Sequence, residues 1–309
     1  MTRLAVIDPT LSVRILSTRT LRYDTPSDPR EDRPAHVRAA SGIAIQHGRL
    51  VIAQDDTLFF GVVSRDGVSA MRLPRGLEGR RRFEVALGNK LDKVDLESCV
   101  AVDDELWAFG SGSLPMRDKI CRVSEGVVRM LDCAPLYARC REALDDCLNI
   151  EGAAAVRDEL WLFHRGNTGE HDPGPAVIRF SLAAFRGYLD ASPMPPILGV
   201  EEYALGTIDG VRLGFTDAVA IGDRVLYLAA AEAAANAIDD GRAVGSHLGV
   251  IEPDGRVRCT PISLDGKPIK AEGLAIDPRT PDRGWVVIDP DDTEQPATLI
   301  DIELVGFWP

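Results

Sequence analysis

Three glutamates, Glu97, Glu151 and Glu272, each open a near-copy of one phrase: "ESCVAVDDELWAF", "EGAAAVRDELWLF" and "EGLAIDPRTPDRGWVVI". Two further copies open on hydroxyls, "SGIAIQHGRLVIA" at Ser41 and "TDAVAIGDRVLYL" at Thr216. Successive openings lie 56, 54, 65 and 56 residues apart. The first four copies align without gaps, with Leu50, Leu106, Leu160 and Val225 at the same later position. If the fold brings these five oxygen-bearing side chains together, three carboxylates repel across a narrow space until they take up protons or a cation. Five oxygens, three of them anionic, suit a hard cation such as Ca²⁺, with waters completing its shell. Zinc would call for His or Cys, which none of these positions offers. A one-residue slip in the fourth copy would put Asp217 on this ring in place of Thr216.

A second set of charged residues recurs in step with the first. A hairpin starting at each opening residue returns to the same end about 13 to 16 residues later. That places Asp55 and Asp56, then His164, Arg165 and Asn167, then Glu232, and finally Asp289 around one entrance. Arg38, Lys93, Asp95 and Lys270 lie just upstream of the openings. Mixed acids and bases around a cation make a pocket for a small anion. In such a pocket Asp55 or Asp56 would orient or deprotonate water, with Arg165 and Glu232 completing the catalytic set. Arg38, Lys93, His164, Asn167, Lys270 and Asp289 would contact the substrate.

The elements that must position these groups are short strands. Apolar runs of four to seven residues alternate with Asp/Gly turns, about four runs to each copy, and no long amphipathic helix alternates with them. A period of this size marks an array of supersecondary units. Four strands per unit and five units predict an all-β, five-bladed β-propeller spanning residues 1–309 as a single domain. In that fold the first strand of each blade lines the central axis. The last copy ends one strand short, and "LSVRILSTRTLRY" near the N-terminus has no unit of its own. It is expected to complete the last blade and remove the exposed edges; a sixth blade built from the termini is the alternative. Two segments interrupt the units as insertions. One is the basic stretch from Gly76 to Lys93, and the other is a short helix expected to carry Cys140 and Cys147 on one face.

Bulk properties narrow the partners. The formal net charge is −13, opposite to what binding nucleic acid requires. No apolar run approaches the length of a membrane span, and the N-terminus lacks a signal-peptide h-region. The six cysteines lack C-x-x-C spacing and are expected as reduced thiols in a cytoplasmic monomer. Neither a G-x-S-x-G elbow nor a Walker or Rossmann glycine pattern is present.

The set Ser41, Glu97, Glu151, Thr216 and Glu272 resembles the central calcium site of the soluble calcium-activated nucleotidases (apyrases), which are five-bladed propellers. Ser41 with Asp55 and Asp56 is similar to their Ser and double-Asp motif. "GFTDAVAI…YLAAAE" resembles their Gly-Phe-Ser segment with its later Glu, and "IKAEGLAI" their final Lys-x-Glu-Gly. "RGN" and "KVDLE" look equally like bacterial phytase-like or esterase-like propellers. The resemblance implies a Ca²⁺-dependent hydrolase of a small phosphate-containing substrate. A lactonase or esterase using the same cation, and a non-catalytic platform whose cation only staples the blades, are the other expectations.

Overall fold

The computed structural model describes residues 2–167, 171–233 and 241–308. Two strands, β1 (Arg3–Ile7) and β2 (Ser12–Thr20), precede the first repeat. That repeat forms β3 (Ala40–Gln46), β4 (Arg49–Gln54), β5 (Phe59–Val63) and β6 (Val68–Arg72). The second forms β7 (Leu96–Val102), β8 (Glu105–Gly110), β9 (Lys119–Ser124) and β10 (Val127–Asp132), followed by helix α1 (Ala134–Glu142). In the third, β11 (Ile150–Val156), β12 (Glu159–His164) and β13 (Ala176–Ser181) are joined to β14 (Ile197–Ala204) by helix α2 (Leu182–Leu189). A short β15 (Thr207–Ile208) leads into β16 (Val211–Ile221), β17 (Arg224–Ala233), β18 (Arg242–Ile251) and β19 (Val257–Leu264). After β20 (Lys267–Pro268), the last repeat runs β21 (Ala271–Ile276), β22 (Arg283–Ile288) and β23 (Thr298–Val305).

Each repeat is an antiparallel sheet whose strands pair in chain order. The fold is all-β and propeller-type. Inner strands β3, β7, β11, β16 and β21 touch in that order, and β21 returns to β3. Five apolar cores lie between consecutive repeats around the same circle. Closure works as the sequence suggests: β2 pairs with β23 from Ser12↔Val305 to Thr20↔Thr298 and supplies the fourth strand of the last sheet. Strand β1 does something the repeats do not predict. It lies parallel to both β14 and β19, stitching the outer edges of two neighbouring sheets together.

Helix α2 was also not anticipated. Ser181 caps it, accepting the N–H of Ala184. Its Phe185 is fully buried against Trp107, Phe109 and Phe180, with ring centroids 5.4–6.0 Å apart, and so fills the wedge between the second and third sheets. Helix α1 ends at Glu142, so Cys140 is buried while Cys147 lies beyond the helix; the two do not share one helical face as expected. All six cysteines are free. Among the described residues no helix is long and apolar enough to cross a membrane.

The inner strands pack tightly enough to demand glycine. A methyl group on Gly273 would sit 2.6 Å from the Val287 side chain and 3.0 Å from the backbone of Gly42 and Ile43. Gly273→Ala is therefore expected to cost about 1–3 kcal/mol through overpacking. Thermal unfolding checks this; an unchanged Tm would mean that the inner strands are not held this close.

Candidate functional site

Every inner strand breaks register with its neighbour at one residue. The breaks fall between Ala40 and Gly42, Leu96 and Ser98, Ile150 and Gly152, Phe215 and Asp217, and Ala271 and Gly273. The extra residues are therefore Ser41, Glu97, Glu151, Thr216 and Glu272, the five that open the repeated phrase. A bulge leaves one residue out of the ladder and re-aims its side chain. The repeat carries the same bulge five times at the same place.

Glu97, Glu151 and Glu272 lie near enough that Glu151 bears on the charge of Glu97 and Glu272 on that of Glu151. The Ser41 hydroxyl donates to the carbonyl of Leu96 at 2.5 Å, and Thr216 to that of Ala271 at 2.6 Å. Each hydroxyl thus latches the residue just before the next repeat's glutamate, and its oxygen lone pairs remain able to accept. Asn149 donates to one Glu151 oxygen at 2.6 Å and Arg165 to the other at 2.7 Å, while Arg165 also reaches Glu232 at 2.6 Å. Lys270 lies 3.3 Å from Glu272, 3.9 Å from Glu232 and 2.8 Å from Asp291. Among the described residues Glu97 has neither a hydrogen bond nor an ion pair to its carboxylate. Its oxygen lies within 4.8 Å of those of Asp55 and Asp95.

Thr216 rather than Asp217 occupies the bulge. Asp217, the next residue, is wholly buried; its carboxylate accepts the N–H groups of Ala218 and Leu274 at 2.8 Å each. It ties β16 to β21, and burial pushes its carboxyl well above the ordinary range even with these amide contacts. Its counterparts in the other repeats are Gly42, Ser98, Gly152 and Gly273. One aspartate therefore spans a layer that is otherwise small.

Outside the ring the bases are engaged by acids. Buried Arg38 holds Asp56 at 2.7 Å and Glu84 at 2.9 Å. Lys93 lies 2.5 Å from both Asp55 and Asp95, and Arg117 holds Asp95 at 2.6 Å. Carboxylates outnumber bases throughout this mouth. Burial and the neighbouring Asp55 charge push Asp56 up to about 7 against the pull of Arg38. Burial, together with Glu272 and Glu232, raises Glu151 to about 8 although Arg165 opposes it. Glu97 is driven well up by burial and by the Asp95, Asp55 and Glu151 charges; burial also raises Glu272 and Asp289. Buried Asp55 Oδ1 accepts no hydrogen bond among the described residues, and Glu272 Oε1 has only the 3.3 Å approach of Lys270. Surplus buried negative charge, bare carboxylate oxygens and hydroxyl oxygens with spare lone pairs form a donor set that fits a hard divalent cation.

Beside these charges opens a cavity of about 500 Å³, whose lining includes none of the five bulge residues themselves. Asp55, Asp56, Lys93, Lys270 and Asp289 line it, as the spacing of the repeats implies. The Gly76–Lys93 insertion forms one wall through Phe83, Glu84, Val85 and Ala86, and the segment from Asp291 to Glu294 forms another. Arg38 does not line the cavity; it stands behind Asp56 and Glu84. Arg165 and Glu232 sit deeper, against the ring. Asn167 accepts a hydrogen bond from Asn149 at 2.9 Å, one residue removed from Glu151.

His164 takes a different position from the substrate contact expected of it. It is fully buried, its Nδ1 accepts the Asn149 N–H at 2.9 Å, and Nε2 faces Asp172 at 3.3 Å. The reason is strand alternation: Arg165 follows directly, and neighbouring residues of a strand face opposite ways. Sequence reading missed Asn149, Glu84 and Asp291. Asn149 could have been found from its place two residues before Glu151, where Lys270 stands relative to Glu272. The other two lie outside the repeated phrase and carry no such signal.

Comparisons with known proteins add a frame. The model of a family described as "Family of unknown function (DUF6929)" matches residues 36–304. No curated protein matches the chain. Among solved structures, glutaminyl cyclase from Myxococcus xanthus is similar at TM-score 0.52 and 9% identity, covering 99% of each chain. Virginiamycin B lyase from Staphylococcus aureus is similar at TM-score 0.47 and 11% identity, covering 95% of this chain and 100% of that one. A mannose phosphorylase from Leishmania mexicana, solved with phosphate ion, gives TM-score 0.47 and 11% identity over 94% and 89%. These neighbours are propeller-type enzymes, and at such identities the likeness concerns the fold.

Proposed function

Because the chain belongs to DUF6929, a family of unknown function, its activity has to be read from its own site, and we propose that it is a divalent-cation-dependent hydrolase of a small ester or lactone. Ser41, Glu97, Glu151, Thr216 and Glu272 would hold the cation, with Ca²⁺ the expected species. The observation that carries this reading is the fivefold bulge, which sets one oxygen-bearing residue of each inner strand apart from its ladder at the same place. When bound, such a cation supplies a Lewis-acid contact to a substrate oxygen.

The chain's own residues supply the rest. Asp56 lines the cavity and, at about 7, is poised to take a proton from water near neutral pH. Arg38 fixes its orientation from behind at 2.7 Å. Lys93 and Lys270 keep Asp55 and Glu272 in place. A phosphate-containing anion is the weaker candidate on charge grounds. Arg38, Lys93, Arg165 and Lys270 each already face two or more carboxylates, so none is left over for phosphoryl oxygens. A neutral substrate does not meet that penalty.

A purely structural cation is the second reading, favoured by the hydroxyl latches from Ser41 and Thr216 onto neighbouring sheets. Elemental analysis of purified protein followed by lactone, aryl ester, nucleotide and phytate panels, with and without chelator, separates the possibilities. A bound divalent ion and chelator-sensitive ester or lactone turnover is expected. Absence of both a divalent ion and turnover overturns the proposal; bound ion without turnover leaves only the structural reading.

The pH dependence has a definite sign. Glu151 at about 8 in the fold lies far above an unfolded glutamate near ~4.3. The fold therefore favours its protonated form, a contribution fully present below ~4.3 and lost as pH rises through about 8. In chelator, Tm should fall between pH 6 and 9. With Ca²⁺ the trend weakens or reverses, because the cation replaces the protons. Melting curves in both conditions check this, and parallel curves would count against the ring.

A further inference from the structure

We infer that the substrate carries an aliphatic chain, which lies along the insertion between Gly76 and Lys93. This rests on the same cavity as the hydrolase reading and specifies what that cavity selects. From composition the insertion looks like a basic cap, but none of its arginines lines the cavity. Arg81 pairs with Glu31 at 2.7 Å, and the Arg82 guanidinium lies 3.9 Å from both Asp32 and Glu84. The insertion presents Phe83, Val85 and Ala86 to the cavity as an apolar stretch, beside Glu84, Lys90 and Lys93.

Val85 lines the cavity yet is 76% exposed. Leu87 and Leu91, on the two short turns Val85–Leu87 and Lys90–Asp92, are 42% and 57% exposed. Leu87 and Leu91 lie outside the cavity lining and extend this exposed apolar strip away from Val85, and an exposed apolar strip that begins inside a cavity marks a surface that gains by being covered. The facing wall is the opposite in character, with Asp289, Asp291, Asp292 and Glu294. A ligand that satisfies both walls has an uncharged, hydrogen-bonding head toward the acids and the ring, and a hydrocarbon part against Phe83, Val85 and Ala86. At about 500 Å³ the cavity is of small-ligand size, too confined for a polymer.

The test uses linear primary amides from propanamide to octanamide, which the enzyme would bind without an ester to cleave, measured by calorimetry on the full chain. Affinity should rise about two- to fourfold per added methylene. Val85→Asp should flatten that rise, whereas Val85→Leu should keep it. The high exposure of Val85 means that neither substitution threatens folding. Equal affinity along the series, or an unchanged rise in Val85→Asp, overturns the inference. A p-nitrophenyl ester series from acetate to octanoate, run in parallel, keeps the two ideas separate. Rising amide affinity without ester or lactone turnover removes the hydrolase reading and leaves this one standing; turnover with a chain-independent kcat/KM removes this one alone.

Discussion

Glu97→Gln is expected to raise the Tm of the cation-free protein at pH 8 while abolishing its response to Ca²⁺. The two effects have one cause. Among the described residues Glu97 has no hydrogen bond or ion pair, its oxygen lies within 4.8 Å of two other carboxylates, and burial holds its pKa well above the ordinary range. A half-buried charge without a counter-ion, set against two other carboxylates, is costly, and an isosteric amide removes that cost. If the ring is a cation site, the same substitution deletes one of only three anionic ligands. The wild type should gain about 2.7 kcal/mol at a cation concentration 100-fold above Kd, roughly 4 °C of Tm for a chain of this size. The variant should gain almost none. A variant that is less stable in chelator and still shifts with Ca²⁺ would remove Glu97 from any cation site, and the proposed chemistry with it.

The second large effect concerns Arg165. Its guanidinium bridges Glu151 at 2.7 Å and Glu232 at 2.6 Å, at only 6% exposure, with Glu272 and Glu97 also within its field. With Lys270, 3.3 Å from Glu272, it supplies the positive charge next to these glutamates. Arg165→Gln leaves those carboxylates uncompensated, and removing one partner of a buried pair costs about 3–5 kcal/mol. Ca²⁺ should recover part of that loss by restoring positive charge, and should bind the variant more tightly than the wild type because Glu151 is released to it. Chelator-treated Tm and calorimetric Ca²⁺ titration of both proteins read the two signs. Equal stability in chelator would mean that Arg165 is not the counter-charge. Weaker Ca²⁺ binding in the variant would make Arg165 a support of the site rather than its competitor.

Together these variants ask whether ten or so converging charges form a functional centre or a self-contained network. The ion pairs of Arg38, Lys93, Arg117, Arg165 and Lys270 satisfy many carboxylates, but among the described residues they leave Glu97 without an ion pair and Asp55 with one bare oxygen. A network built only for stability would gain by converting such groups to neutral ones. Their retention in this chain is what the cation reading explains.

Much of this was legible in the chain because the fold repeats. The spacing of Ser41, Glu97, Glu151, Thr216 and Glu272 located the ring residues, and the alternation of short apolar runs with Asp/Gly turns located the strands, since a two-residue side-chain period and tight turns are local properties. The unpaired N-terminal segment pointed to its partner β23 because an open edge strand is a liability that closure removes. What lies outside the repeats was not legible. Helix α2, the stitching strand β1, and the contributions of Glu84 and Asp291 depend on which distant segments meet. His164 was misplaced because a hairpin register one residue off reverses the facing of a side chain. Amino-acid order alone determined that five equivalent oxygens exist and that three are acids. Only the three-dimensional arrangement decided that a bulge sets each one apart from its ladder, that the nearby bases are spent on carboxylates, and that the basic-looking insertion turns Phe83, Val85 and Ala86 to the cavity while its arginines stay outside the lining, because charge pairing and facing are settled by neighbours far apart in the chain.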